Sequence, residues 1–163
     1  MATFVTPLAS NYISPLVTPE ERGNFTVRYT IPYTQVALAT SSGSGDVVSL
    51  TLGTTPQFWL VDSALAFSST AYSGCTAMSM AVGTTTQTSA FIGTTTIVTG
   101  SAGTIGAFIP TNGIHGVNIP TSATATASLT TVATFTVAGG SFSGLTQGNI
   151  VLQLSVSDLN QVY

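Results

Sequence analysis

The chain's inventory for acid–base, metal or nucleophilic chemistry is small: one imidazole, five acidic side chains and one thiol. His115 lies in Thr111-Asn112-Gly113-Ile114-His115-Gly116, a run of turn-forming residues. A catalytic triad would need an Asp to orient that ring and a serine held on a strained elbow. No Gly-x-Ser-x-Gly elbow occurs, because Gly140-Ser141-Phe142-Ser143-Gly144 places Phe at the centre. Glycoside hydrolysis needs two acids across one bond. Here Asp46 opens a strand-like run, Asp62 lies inside another, Asp158 is near the C-terminus, and Glu20-Glu21 stands apart from all three. No His, Cys, Asp or Glu spacing matches a metal site. Gly43-Ser44-Gly45 and Gly100-Ser101-Ala102-Gly103 lack the Gly-Lys-Ser/Thr of a phosphate loop and read as turns. The expectation is no enzyme: no catalytic residue, no cofactor and no metal.

Gly83-Thr84-Thr85-Thr86 recurs as Gly93-Thr94-Thr95-Thr96. Rows of outward Thr can bind ice, but two copies do not make the regular array such a surface requires. A hairpin of two similar strands is the plainer expectation.

What remains is composition. The chain has 163 residues, enough for one domain with a sizeable core. Apolar residues are 44% and mean hydropathy is +0.47. Charged residues are only 4%, against about 25% in an ordinary soluble domain. Arg22 and Arg28 are the only cations besides His115, and the net charge is −3, so no basic patch for phosphates or anionic lipid can form. Thr, Ser and Gly interrupt every apolar stretch well short of the about 18 residues of a membrane helix. Residues Met1 to Leu16 have neither a basic start nor a continuous apolar run, so no secretory signal is expected. Cys75 has no intrachain partner and reads as a small buried hydrophobe. Without a secretory signal, Asn24-Phe25-Thr26 reads as a chance sequon.

Two regions differ in texture. Residues 1–24 carry Pro7, Pro15, Pro19 and the charged run Glu20-Glu21-Arg22. Their prolines forbid a helix and favour extended chain. Their large apolar residues are more than a solvated linker would hold. They form an extended N-terminal arm, either docked on a partner or folded back as a first strand. Within it Phe4, Val5, Leu8, Tyr12, Ile13, Leu16 and Val17 are the candidate partner-contact residues.

Residues 25–163 read as β throughout, rich in Thr, Val, Ile, Phe and Tyr and broken by Gly, Ser and Pro clusters. Strands are expected over Phe25–Ile31, Tyr33–Ala39, Val47–Leu52, Phe58–Ser68, Thr76–Val82, Thr88–Ile92, Thr104–Ile109, Thr126–Val137 and Asn149–Ser157. Turns are expected at 41–45, 53–56, 72–74 and 138–144. Alternation puts Val48, Leu50 and Leu52 on one face, with Thr76, Met78, Met80 and Val82, then Leu129, Ala133, Phe135 and Val137, then Ile150, Leu152, Leu154 and Val156 on others. Phe58–Ser68 is apolar on both faces, with Trp59, Val61, Leu65 and Phe67 facing the core on strict alternation. The fold class is all-β: an antiparallel β-sandwich, jelly-roll-like, with the arm at its N-terminus.

A sandwich without Lys has little to guard its strand edges, and its outer positions are mostly Ser and Thr. The expectation is a covered surface: a homo-oligomer, with a trimer as one form, or a larger lattice.

Tyr29-Thr30-Ile31-Pro32-Tyr33-Thr34, Asp46-Val47-Val48-Ser49-Leu50-Thr51-Leu52-Gly53 and Phe58-Trp59-Leu60-Val61 resemble small β-sandwich structural proteins of tailed bacteriophage virions. The remainder, through Leu152-Gln153-Leu154-Ser155-Val156, is similar in style. The resemblance implies a head decoration or cement protein, made in the host cytoplasm and located in the virion, with a major capsid or other virion protein as partner. Tail, baseplate or fibre components share this texture. A receptor- or glycan-binding sandwich is the alternative of another class, with Tyr72, Phe108 and His115 as its loop candidates. Neither nucleic acid nor membrane is an expected partner.

Overall fold

The computed structural model describes residues 3–7, 13–16, 24–38, 43–55, 59–99 and 129–158. Among the described residues nine strands and one short helix follow one another: β1 Thr3–Pro7, β2 Ile13–Leu16, β3 Asn24–Pro32, α1 Tyr33–Ala37, β4 Val47–Thr55, β5 Trp59–Ser73, β6 Cys75–Thr84, β7 Ile92–Thr99, β8 Leu129–Gly140 and β9 Gln147–Asp158. They form two sheets, β1-β4-β8-β6-β7 and β2-β3-β9-β5. Every pairing is antiparallel except β1 on β4, which is parallel. From β3 to β6 each strand lies in the sheet opposite its predecessor. The expected all-β sandwich is the observed architecture.

The inner faces carry the alternation read from the sequence. Val48, Leu50, Leu52, Met78, Met80, Val82, Phe135 and Val137 of the first sheet are buried, as are Val27, Ile31, Ile150, Leu152, Leu154 and Val156 of the second. At ~25 cal/mol per Å² this apolar layer is the dominant cohesive term.

Strict alternation fails in β5. Val61 pairs with Val156, but Ser63 pairs with the next residue, Ser155, so position 62 is an extra residue in a bulge. One extra residue exchanges the faces. Ala64 and Ala66 therefore turn inward, while Leu65 is 36% exposed and Phe67 is half-buried. The assignment of Leu65 and Phe67 to the core is corrected by this bulge. Two further register shifts follow, between Ser68 and Thr70 and between Thr70 and Ser73, and the fully buried Tyr72 lies within the second.

Other departures are local. Tyr33–Ala37 is one helical turn rather than a strand, starting after extended Pro32 and anchored by the fully buried Val36. Gly53 and Thr54 continue β4 past a bulge instead of turning. Residues 72–73 still belong to β5, and the chain turns at Gly74. β8 runs to Gly140, with a 3-10 turn at Phe142–Gly144 behind it. Residues 88–91 close the β6–β7 hairpin rather than forming a strand. Gln87 there accepts from the Thr84 and Ala90 amides at 2.9 and 3.1 Å and donates its own amide to Thr84 Oγ1 at 3.1 Å. The loop passes so close to Gly83 that a Cβ would collide with its backbone. The two Thr-rich segments thus belong to one hairpin. The expected strand Thr104–Ile109 lies outside the described residues.

Two segments of the N-terminal arm run along sheet edges of the same chain. β1 extends the first sheet beyond β4, and β2 extends the second beyond β3.

Candidate interaction surface

Among the described residues no group of three or more His, Cys, Asp or Glu side chains comes together. Cys75 is buried, and burial raises its thiol pKa, which suppresses the nucleophilic thiolate. Asp46 is buried where the chain enters β4, and its Oδ2 accepts from the Gly43 amide at 3.3 Å. That contact fastens a turn. His115 and Phe108 lie outside the described residues. Tyr72, the third loop candidate for a glycan, is fully buried, and its hydroxyl donates to the Ile31 carbonyl at 3.0 Å. It cannot stack on a sugar. No helix among the described residues is long and apolar enough to cross a membrane.

The feature that the sheets do assemble is a face. On the outside of the first sheet, register places residues from four strands in three rows. The first runs Val47, Thr136, Ser79, Thr96; the second Ser49, Thr134, Ala81; the third Thr51, Val132, Gly83, with Ala81, Val132 and Gly83 buried. Thr3, Val5 and Pro7 of β1 pair with Val47, Ser49 and Thr51 at the sheet edge. None of these thirteen positions carries a charge. Ser49 Oγ and Thr134 Oγ1 satisfy each other at 3.1 Å across β4 and β8. Short β-branched and hydroxyl side chains give such a face low relief, and opposite strands can interlock without desolvating an ion.

The outer face of the second sheet is mixed. Its rows are Ser14, Arg28, Gln153, Leu65; Leu16, Thr26, Ser155, Ser63; and Thr30, Val151, Phe67. The exposed Arg28 sits two strands from the exposed Leu65.

The arm residues divide between the layers by register. Phe4 pairs with Val48 and Ile13 with Tyr29, and both of these partners are buried. Val5 pairs with Ser49 and Leu16 with Thr26. Leu8, Tyr12 and Val17 lie outside the described residues. The three-row face was not visible as a unit in the sequence. Alternation marked Ser49, Thr51 and Ser79 as outward, but only strand order joins them to Thr134, Thr136 and the arm.

No family model matches the sequence, and no curated protein matches it. Among solved structures the chain is similar to one described as "Cyanophage Pam1 capsid asymmetric unit". The identity is 13%, the TM-score 0.49, and the match covers 88% of this chain and 93% of that one. A likeness at that level bears on neither function nor partner.

Proposed function

We propose that the chain is a non-enzymatic structural protein of a phage virion, a decoration or cement protein that stabilises the head through subunit–subunit contacts. The observation that carries this reading is the uncharged three-row face, in a chain with only 4% charged residues. Covering such a surface desolvates no ion, and its hydroxyls can pair with one another as Ser49 and Thr134 do at 3.1 Å. The sequence resemblance to small virion sandwiches and the alternation of β3 to β6 between sheets, as in a jelly roll, support it further.

The mechanism is mechanical. The compact sandwich, residues 25–163, sits over a junction between shell subunits, and the arm, residues 1–24, engages neighbouring copies or the major capsid protein. Ile13 and Leu16 of β2 stay paired with their own β3, and Phe4, Val5, Leu8, Tyr12 and Val17 supply the apolar contacts. Burying one large side chain contributes at most about 1.5–3 kcal/mol, summed over many copies of the protein. Burial of Tyr72 removes one of the aromatic side chains that a glycan-binding reading would use.

The test is incorporation. Virions that carry this chain are purified with the full-length protein and with a form lacking Met1–Pro19, and bound protein is quantified by mass spectrometry and electron cryomicroscopy. The reading expects many copies on the head and loss of the truncated form from particles. Absence of the full-length chain from virions overturns it.

A further inference from the structure

We infer that β1 is an exchangeable strand: in the assembled protein, Thr3–Pro7 of one copy pairs with the β4 edge of a second copy. The inference rests on the proposal that this chain associates with copies of itself, and it names the segment that does so.

Three observations carry it. First, β1 is held by backbone register to a partner 44 residues away, Thr3 opposite Val47 through Pro7 opposite Thr51, and by no strand adjacent in sequence. An exchanged strand makes the same five pairings in another copy, so exchange costs no contact and is decided by concentration and the connection. Second, the arm divides between layers, with β1 on one sheet and β2 on the other. β2 can therefore stay on its own β3 while β1 is donated, so the donating copy keeps an anchor. Third, the edge is finite. Pro7 ends β1 and Pro15 lies inside β2, and proline lacks the amide that another strand would need. A donated β1 thus ends the acceptor's sheet, so copies are joined by the exchanged strand and not by further pairing at that edge. The acceptor positions carry no charge: Val47, Ser49 and Thr51 pair with Thr3, Val5 and Pro7.

The experiment uses two full-length chains, both carrying Cys75→Ser, one with Val5→Cys and one with Ser49→Cys. Register partners in neighbouring strands lie about 4.8 Å apart, within disulfide reach. The chains are unfolded, mixed, refolded together and mildly oxidised, with oligomeric state followed by sedimentation. Exchange predicts a disulfide joining one chain of each kind. The double variant Val5→Cys/Ser49→Cys serves as control, and Thr3→Cys with Val47→Cys repeats the test should the first pair not fold. If the mixture is oligomeric but unlinked, while the double variant closes within one chain, exchange is overturned and self-association stands. If the chains are monomeric and the double variant closes internally, both fall.

Discussion

The ring of Tyr72 covers Gly148, so that a Cβ on that glycine would stand inside the ring's van der Waals envelope. Gly148 has φ +142, a conformation that side chains other than glycine's rarely adopt, and it lies at the start of β9. The same tyrosine hydroxyl donates to Ile31 at 3.0 Å, joining β5 to β3 across β9. Gly148→Ala is expected to cost about 1–3 kcal/mol through overpacking, with backbone strain in addition. Tyr72→Phe keeps the ring and removes the hydrogen bond, at about 1 kcal/mol, rising to ~3 if the carbonyl stays unpaired. Urea titrations of the two variants check both values.

Alkaline pH should unfold the protein through its tyrosines. Burial raises Tyr29 from the ordinary 10.0 to about 12 and pushes Tyr72 up as well. In the unfolded chain both ionise first, so the unfolded state binds fewer protons in that window. Their contribution to stability is intact below pH 10 and declines as pH rises toward 12. Cys75, also raised by burial, adds the same sign from its ordinary value of 9.0 upward. Denaturation midpoints measured at rising pH, with Tyr29→Phe as comparison, should fall less steeply in the variant.

The bulge at position 62 makes a counterintuitive prediction about size. Leu65 faces outward, so Leu65→Ser should change stability by less than about 1 kcal/mol. Ala66 is fully buried, so Ala66→Leu should cost about 1–3 kcal/mol by overpacking. Strict alternation without the bulge gives the opposite order, and thermal denaturation of the pair decides.

That bulge also marks how far the sequence could be read. Val48-Ser49-Leu50-Thr51-Leu52 and Ile150 to Val156 announce their faces because each side chain alternates with its neighbour. Nothing in Trp59 to Phe67 tells which residue is the extra one, since both faces are apolar and either register buries hydrophobic area. Tyr33–Ala37 misleads for a different reason: Tyr, Thr and Val favour strands, and five residues are too few for a helical period. The hairpin loop after Thr84 depends on the Thr84 and Gln87 contacts, which no local pattern encodes. The interaction face was legible strand by strand. What composition withheld was the order β1-β4-β8-β6-β7, a product of long-range pairing.

The central claim is that this sparsely charged sandwich is made to be covered by other protein. Sedimentation velocity of the full-length chain over a wide concentration range at neutral pH tests it most directly. The account predicts growth of the sedimentation coefficient with concentration to a defined closed oligomer. A single monomeric species, soluble at every concentration, would contradict it.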